Sequence, residues 1–576
     1  MIIEDGTVNI DQLGAKGDAV LPASYNDTIG SVDSCNERTK KTLNINNGST
    51  EYLDENEVAI TATDNADYFN KAISNEQVHC ICLTAGKIYG TRSLIKMKSD
   101  KVLDGNNATI MYVAEANLDP NDKSKKLHMI DCNEKDVGKT YTQNIEIKNV
   151  RLIHNSVFKS GDIYIAIFVR HCENVKIHDV IIERSTVGIK TTAYDKGILY
   201  NTVKINNVHI SDVLTGLEIG DIMNSSVTDS YVSCDYNLLL DDDDANGQHC
   251  IYAGGAMKDC VFSNLTLLNA GKGSAINRNE ALTSFEYFGE NLLFSNIIID
   301  NCDCAVHVGK RTRNSVFKNI IATNVMESGI ALCGAEDVLI TNCSFRGTDE
   351  AACGILIPSD SKELDYIKDV VIDNCSFDFS RKVFFVGMNR SKINDCLVIR
   401  NCYFVHHAID LDYKKAPAYI RGIMSKVTFE KCIFETDSYK TDADSKKGVI
   451  FYFDSKKETL MEWVFDRCVF INNGVVSANS PILSDTENDA KNKIFCQMRG
   501  CQLKGYRWTI RIATSQTNNL ENHSPAIDPC FYENEEENAM TRSDAAERLT
   551  QLKRFLSFKN IYVDGAGFRA AEEYGL

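Results

Sequence analysis

Apolar and polar residues alternate in short stretches along most of the chain, and the stretches recur. The clearest recurring phrase is apolar-x-apolar-x-Asn-Cys-x-Phe. It reads Ile340-Thr341-Asn342-Cys343-Ser344-Phe345, Ile372-Asp373-Asn374-Cys375-Ser376-Phe377 and Ile399-Arg400-Asn401-Cys402-Tyr403-Phe404. Weaker copies stand at Asp259-Cys260-Val261-Phe262, Lys431-Cys432-Ile433-Phe434 and Arg467-Cys468-Val469-Phe470. Cys343 and Cys375 lie 32 residues apart, Cys375 and Cys402 27. A variable period of that size, built from short alternating strands and polar turns, predicts the stacked coils of a β-solenoid. Leucine-rich repeats would show Leu-x-x-Leu-x-Leu, which is missing, and propeller blades need a longer and steadier repeat.

A second phrase, small-Ile-x-apolar, falls once per coil. Copies are Gly188-Ile189-Lys190, Gly216-Leu217-Glu218-Ile219, Cys250-Ile251-Tyr252-Ala253, Ala275-Ile276-Asn277, Ala305-Val306-His307-Val308, Gly329-Ile330-Ala331-Leu332, Gly354-Ile355-Leu356-Ile357 and Ala408-Ile409-Asp410-Leu411. Strand alternation turns the Ile inward and the following residue outward. One outer face is therefore readable as Lys190, Glu218, Tyr252, Asn277 and His307, giving way to Ala331 and Leu356.

The expected organisation is an N-terminal cap over residues 1–77, a β-helix over 78–512, and a C-terminal capping helix with a last strand over 513–576. Both caps block the open strand edges of a solenoid. Ala66, Phe69, Ala72 and Ile73 form the apolar stripe of the first capping helix, and Leu549, Leu552 and Leu556 that of the second.

Composition agrees with one repetitive all-β body. At 576 residues a mixed globular chain would split into several domains, whereas a solenoid grows by repetition. The net charge of −18 argues against nucleic acid and against an acidic membrane surface as partners. No apolar run is long enough to span a membrane, and Met1-Ile2-Ile3-Glu4-Asp5-Gly6 lacks a signal-peptide pattern. An odd count of 21 cysteines favours free thiols in a reducing compartment: the expectation is a cytoplasmic protein, or a virion protein if phage-encoded. Cysteine at one fixed corner packs as a small apolar side chain. Cys80-x-Cys82 and Cys302-x-Cys304 have strand spacing, but no second ligand pair follows at a zinc interval.

The N-terminal region resembles the pectate-lyase superfamily, in the branch shared by polygalacturonases and phage tailspikes. The resemblance rests on Gly14-Ala15-Lys16-Gly17-Asp18, Thr63-Asp64-Asn65-Ala66-Asp67-Tyr68-Phe69, Leu83-Thr84-Ala85-Gly86-Lys87-Ile88-Tyr89 and Val102-Leu103-Asp104-Gly105. Ala19 stands where the family has glycine, and residues 19–62 form an inserted loop inside the family's first phrase. The resemblance implies a right-handed single-stranded parallel β-helix with an N-terminal capping helix. It implies a function on carbohydrate polymers or oligomers, as hydrolase, lyase or phage receptor-binding protein, and it leaves a homotrimer open.

The candidate chemistry gathers on the middle coils. Glycoside hydrolysis needs two carboxyls, about 5 Å apart for retention and about 6.5–9.5 Å for inversion. Glu218 and Asp221 stand one coil before Asp241-Asp242-Asp243-Asp244, so Glu218, Asp221, Asp241 and Asp243, with His249, are the catalytic candidates. Lys190, Tyr252, Asn277, Arg278, His307, Lys310 and Arg311 are candidate substrate contacts. No cofactor is required; Ca²⁺ at the four-aspartate run is left open. The Asp241–Asp244 run resembles the Asp-Asp element of polygalacturonases and Gln248-His249 their His element. No Arg-Ile-Lys follows, so a divergent glycoside hydrolase is expected, ahead of a lyase using Lys190, Arg278 or Arg311. The competing expectation is a phage tailspike or receptor-binding protein that holds a surface glycan.

Overall fold

A computed structural model describes residues 3–19, 45–46, 49–53, 59–112, 126–133, 142–154, 163–193, 199, 201–234, 248–278, 288–309, 311–347, 352–358, 366–380, 382–387, 391–407, 418–421, 423–436, 450–453, 460–473, 481–484, 493–504, 510–512, 526–527, 531–533 and 562–564. Strands paired in parallel dominate, and the fold is the parallel β-helix expected from the repeats. The chain divides into two compact units, Met1–Asp303 and Cys304–Leu576.

In the first unit the long strands Thr142–His154, Cys172–Thr192, Val203–Glu218, Ser226–Ser233 and Met257–Arg278 lie in register. Ile147, Ile177, Ile205, Val227 and Phe262 follow one another up the core, all buried. Each long strand bends at single residues in the left-handed region, spaced five apart: Asn174, Asp179 and Arg184, then Asp259, Asn264 and Asn269. Asn and Asp tolerate that conformation better than other side-chain-bearing residues. Their amides also bond from coil to coil: Asn296 Nδ2 donates to Asn264 Oδ1 at 3.1 Å, and Asn264 Nδ2 to Asp229 Oδ1 at 2.9 Å.

The N-terminal phrase is split by the insertion in sequence and joined in space. Asn65, fully buried, accepts from the Lys16 N–H and donates to the carbonyls of Lys16, Thr63 and Gly90. Asp18 accepts from both the N–H and the hydroxyl of Thr63. The helix Ala66–Ile73 buries the four residues of its expected stripe. Asp11 binds the second motif through Thr84, Lys87 and Tyr89 at 2.6–2.8 Å. Burial alone would raise the Asp11 carboxyl, but these bonds outweigh it and hold its pKa below the usual carboxylate value. Two features differ from expectation. The insertion is not all loop, because Ile45–Asn46, Ser49–Leu53 and Ala59–Thr63 pair as antiparallel strands. Parallel pairing also begins earlier than residue 78, with Thr7–Asn9 against Cys80–Cys82.

In the second unit each element of the Asn-Cys-x-Phe phrase has its own stack. Asn342, Asn374 and Asn401 take left-handed corners, and Asn374 Nδ2 donates to Asn342 Oδ1 at 2.8 Å. Cys343, Cys375, Cys402, Cys432, Cys468 and Cys501 follow inward, all buried as free thiols. Phe345, Phe377, Phe404, Phe434 and Phe470 stack face to face at 4.9–5.4 Å. Parallel pairing runs past residue 512, through Gln502–Lys504 and Phe531–Glu533 to Tyr562–Asp564. The capping helix expected around Leu549, Leu552 and Leu556 lies outside the described residues.

Candidate functional site

The small-Ile-x phrase positions the site. In the first unit Ile189, Leu217, Ile251 and Ile276 are buried in register. Before Ile189 and Leu217 a glycine is required sterically: a Cβ on Gly216 would meet Val232 Cγ1 at 2.1 Å and the Cys250 carbonyl at 2.8 Å. The residue after each faces out, giving the row Lys190, Glu218, Tyr252 and Asn277. Successive members are about one interstrand spacing apart, 4.8 Å.

Within this row Lys190 Nζ and Glu218 Oε1 are ion-paired, both side chains about one-quarter exposed. The Tyr252 ring stacks on His249, with centroids 5.3 Å apart and planes 16° from parallel. Gly254 lies against the same ring, where a Cβ would meet Tyr252 Cε1 at 2.4 Å. Asn277 is on the row but only 4% exposed, and its amide contacts His249 Nε2 at 3.1 Å. The other imidazole nitrogen, Nδ1, accepts from the Ser274 N–H at 3.2 Å.

Other candidates separate from this row. Asp221 is a correction: it is buried at a left-handed corner, with Oδ2 accepting from the Ala193 N–H at 2.9 Å and Oδ1 from the Ala256 N–H at 3.3 Å. Its carboxylate closes a corner and is not presented to a ligand. Arg278 is a second correction, because it does not face outward with Asn277. It is fully buried, and Nη1 donates to the Ala253 carbonyl at 2.8 Å. Asp241, Asp243 and the proposed calcium run lie outside the described residues, as does Lys310. The described residues on either side of the four-aspartate run meet, because Gln248 Nε2 donates to the Cys234 carbonyl at 3.4 Å. His307 and Arg311 belong to the second unit. His307 contacts Cys333 Sγ at 2.7 Å, and burial lowers its pKa to about 4. Arg311 takes a left-handed corner.

The register of this row continues into earlier strands, where Phe168 is buried with Ile165 and Val187. Asp131 pairs with Phe168, and Phe168 with Lys190. Arg170 Cζ sits 4.5 Å over the Phe168 ring, and the His128 ring lies 4.3 Å away. The signal was present in Ala166-Ile167-Phe168-Val169, another copy of the same phrase. Asp131 is three strands from Glu218, about 14 Å by strand spacing and beyond the reach of a glycosidase carboxyl pair. Among the described residues no group of three or more His, Cys, Asp or Glu could hold a metal ion, and no helix is long and apolar enough to cross a membrane.

In the second unit the equivalent outward row is Ala331, Leu356, Phe385, Tyr419 and Tyr452. The Ala408–Leu411 copy lies outside the described residues. Phe384-Phe385-Val386 pairs in register with Ala418-Tyr419-Ile420. Tyr419 stacks on Tyr452 at 5.4 Å, and Lys382 Nζ lies 4.6 Å over Phe385.

No family model and no curated protein matches the sequence. Solved structures similar to this chain include mutant tailspike proteins of E. coli bacteriophage HK620 in complex with a pentasaccharide. One has a TM-score of 0.48 at 12% identity, covering 89% of this chain and 86% of the other. A second has 0.47 at 12%, covering 96% and 86%. The tailspike without a stated mutation, also with a pentasaccharide, has 0.42 at 12%, covering 96% and 86%.

Proposed function

We propose that this protein binds a poly- or oligosaccharide along the outward row of its first unit and cleaves a glycosidic bond there by hydrolysis. The observation that carries the reading is the register of Lys190, Glu218, Tyr252 and Asn277 on one face, above buried aliphatic positions that are indifferent to what points outward. Outward charge and an aromatic ring gathered this way gain nothing in core packing. An amphipathic ring beside hydrogen-bonding and ionised groups suits a sugar, which presents both apolar C–H faces and hydroxyls. Glu218 is assigned the acid–base role, with Lys190 as its charge partner. The second carboxyl is assigned to Asp241 or Asp243, eight and six residues before His249 in the sequence. The resemblance of the N-terminal phrase to polygalacturonases and tailspikes supports the same substrate class.

A second reading has an observation of its own. Glu218 is held by Lys190, and Asp221 is consumed by backbone N–H groups, an arrangement that suits a receptor-binding protein retaining a surface glycan without cutting it. Digestion of a polysaccharide panel with mass analysis of products separates the readings. Hydrolysis adds one water per cut, elimination leaves products one water lighter with new ultraviolet absorbance, and retention without products identifies a binder. Under the lead reading Glu218→Gln lowers kcat by about 10²–10⁴, the usual contribution of a positioned acid–base group. Full activity in Glu218→Gln, or no glycan bound by the wild type, defeats it.

A further inference from the structure

We infer that His249 is a positioning residue that sets the Tyr252 ring beside Glu218, and is not a general base. The inference rests on the glycan-cleaving reading of the Lys190–Glu218–Tyr252 row for its purpose, but its geometry stands without a substrate.

An imidazole acting as general base needs an unoccupied nitrogen facing the reacting group. His249 has no lone pair to spare. Nδ1 accepts from the Ser274 N–H at 3.2 Å, and a backbone N–H can only donate. The neutral ring therefore carries its proton on Nε2. The Asn277 amide nitrogen lies 3.1 Å from Nε2 and 3.5 Å from Nδ1, so it packs against the ring face and not in line with the Nε2–H. Asn277 is itself held in the adjacent strand at 4% exposure, in register with Tyr252. A backbone group and a buried amide thus fix the imidazole plane at two points.

The fixed plane carries an aromatic ring. Tyr252, three residues along the same strand, lies on it at 5.3 Å and 16°. Tyr252 is the residue paired directly with Glu218 across the strands. The order of support is then Ser274 and Asn277 to His249, His249 to Tyr252, and Gly254 closing against the tyrosine ring where any side chain would collide. A side chain that places an aromatic contact surface within about one strand spacing of the acid controls how a sugar ring is seated, and so acts on KM.

The test uses the full-length protein. The ¹⁵N signals of His249, assigned through their loss in His249→Phe, should show the Nε2–H tautomer at neutral pH. An Nδ1–H tautomer or a rapidly averaging mixture overturns the inference, whether or not any glycan is cut. On a polysaccharide that the wild type cleaves, His249→Phe keeps a flat ring under Tyr252. Its kcat should stay within about threefold, with KM raised about three- to tenfold, the worth of a disturbed aromatic contact. His249→Ala should raise KM further, again with kcat nearly kept. A loss of 10²–10⁴ in kcat at unchanged KM in His249→Phe marks a proton-transfer residue and overturns the inference. Loss of activity in Glu218→Gln beside an unaltered His249→Phe KM separates failure of this inference from failure of the glycan-cleaving reading.

Discussion

The two units use the same strand phrase to opposite ends. In the first, the inward positions of this phrase, Ile189 to Ile276, are aliphatic and the outward row carries Lys190, Glu218, Tyr252 and Asn277. In the second, its outward row is Ala331, Leu356, Phe385, Tyr419 and Tyr452, and the separate strands of the Asn-Cys-x-Phe phrase hold an inward aromatic column from Phe345 to Phe470. A parallel stack asks only that inward residues match their neighbours in shape. Ile over Ile and Phe over Phe both satisfy it, because identical side chains one strand apart nest on each other. The outward residue is then left to chemistry in one unit and to packing in the other.

Stability should respond accordingly, most strongly at the aromatic column. Phe404 lies between Phe377 at 4.9 Å and Phe434 at 5.0 Å, at 1% exposure. Phe404→Ala should destabilise the second unit by about 3–5 kcal/mol, read as a lowered denaturant midpoint. Glu218→Gln should shift the first unit by less than about 1 kcal/mol, because its ion pair is partly solvated. Equal losses in the two variants would erase the contrast.

Acid should act next most strongly, and on the first unit. His154 is buried against Tyr112 and Tyr164, and burial lowers its pKa from the ordinary 6.5 to about 3. The unfolded chain then binds the extra proton between those values, so stability is full above pH 6.5 and falls as pH drops toward 3. The slope is about 1.4 kcal/mol per pH unit in that window. His154→Phe should flatten this limb in a pH series of denaturation midpoints; an unchanged slope would assign acid sensitivity elsewhere.

A smaller effect is expected at the corners. Asn374 holds a φ of 52° and bonds to Asn342. Asn374→Ala should cost about 1–2 kcal/mol for the left-handed backbone alone, whereas Asn374→Gly should recover most of that loss. If glycine is no better than alanine, the side-chain ladder and not the backbone sets the requirement. Smallest of all is the response of native protein to a thiol reagent. Cys80, Cys82, Cys333 and Cys396 are half-buried and the other described cysteines buried, so few thiols should react before denaturation and many after it. Burial raises the Cys353 thiol to about 12, which suppresses the reactive thiolate.

Much of this architecture was legible in the residues, and the gaps have physical causes. Alternation and the Asn-Cys-x-Phe phrase revealed the coils because inward positions repeat strictly. The corners were less visible because Asn and Asp are common in any polar turn, whatever its backbone conformation. Asn and Asp recurring every five positions, as at Asp259, Asn264 and Asn269, were the turn signal. Outward direction was readable for Lys190, Glu218 and Tyr252, since the preceding Ile marks the inside. It failed for Arg278 because the strand ends there and the side chain turns inward under Ala253. Asp221 misled for a similar reason: acidity is visible in sequence, but its bonds to Ala193 and Ala256, remote along the chain, are not. The resemblance already joined Lys16 and Asn65 in one phrase across the insertion, but not the hydrogen bonds that hold them together.

The cysteine column has a consequence for how this protein weathers oxidants. Its six thiols from Cys343 to Cys501 each occupy the same corner of successive coils, so each has a neighbour about 4.8 Å away. That spacing lies within the range a disulfide bridges, yet all six stand as free thiols. Burial, and not distance, is then what keeps an oxidant from this cysteine-rich interior.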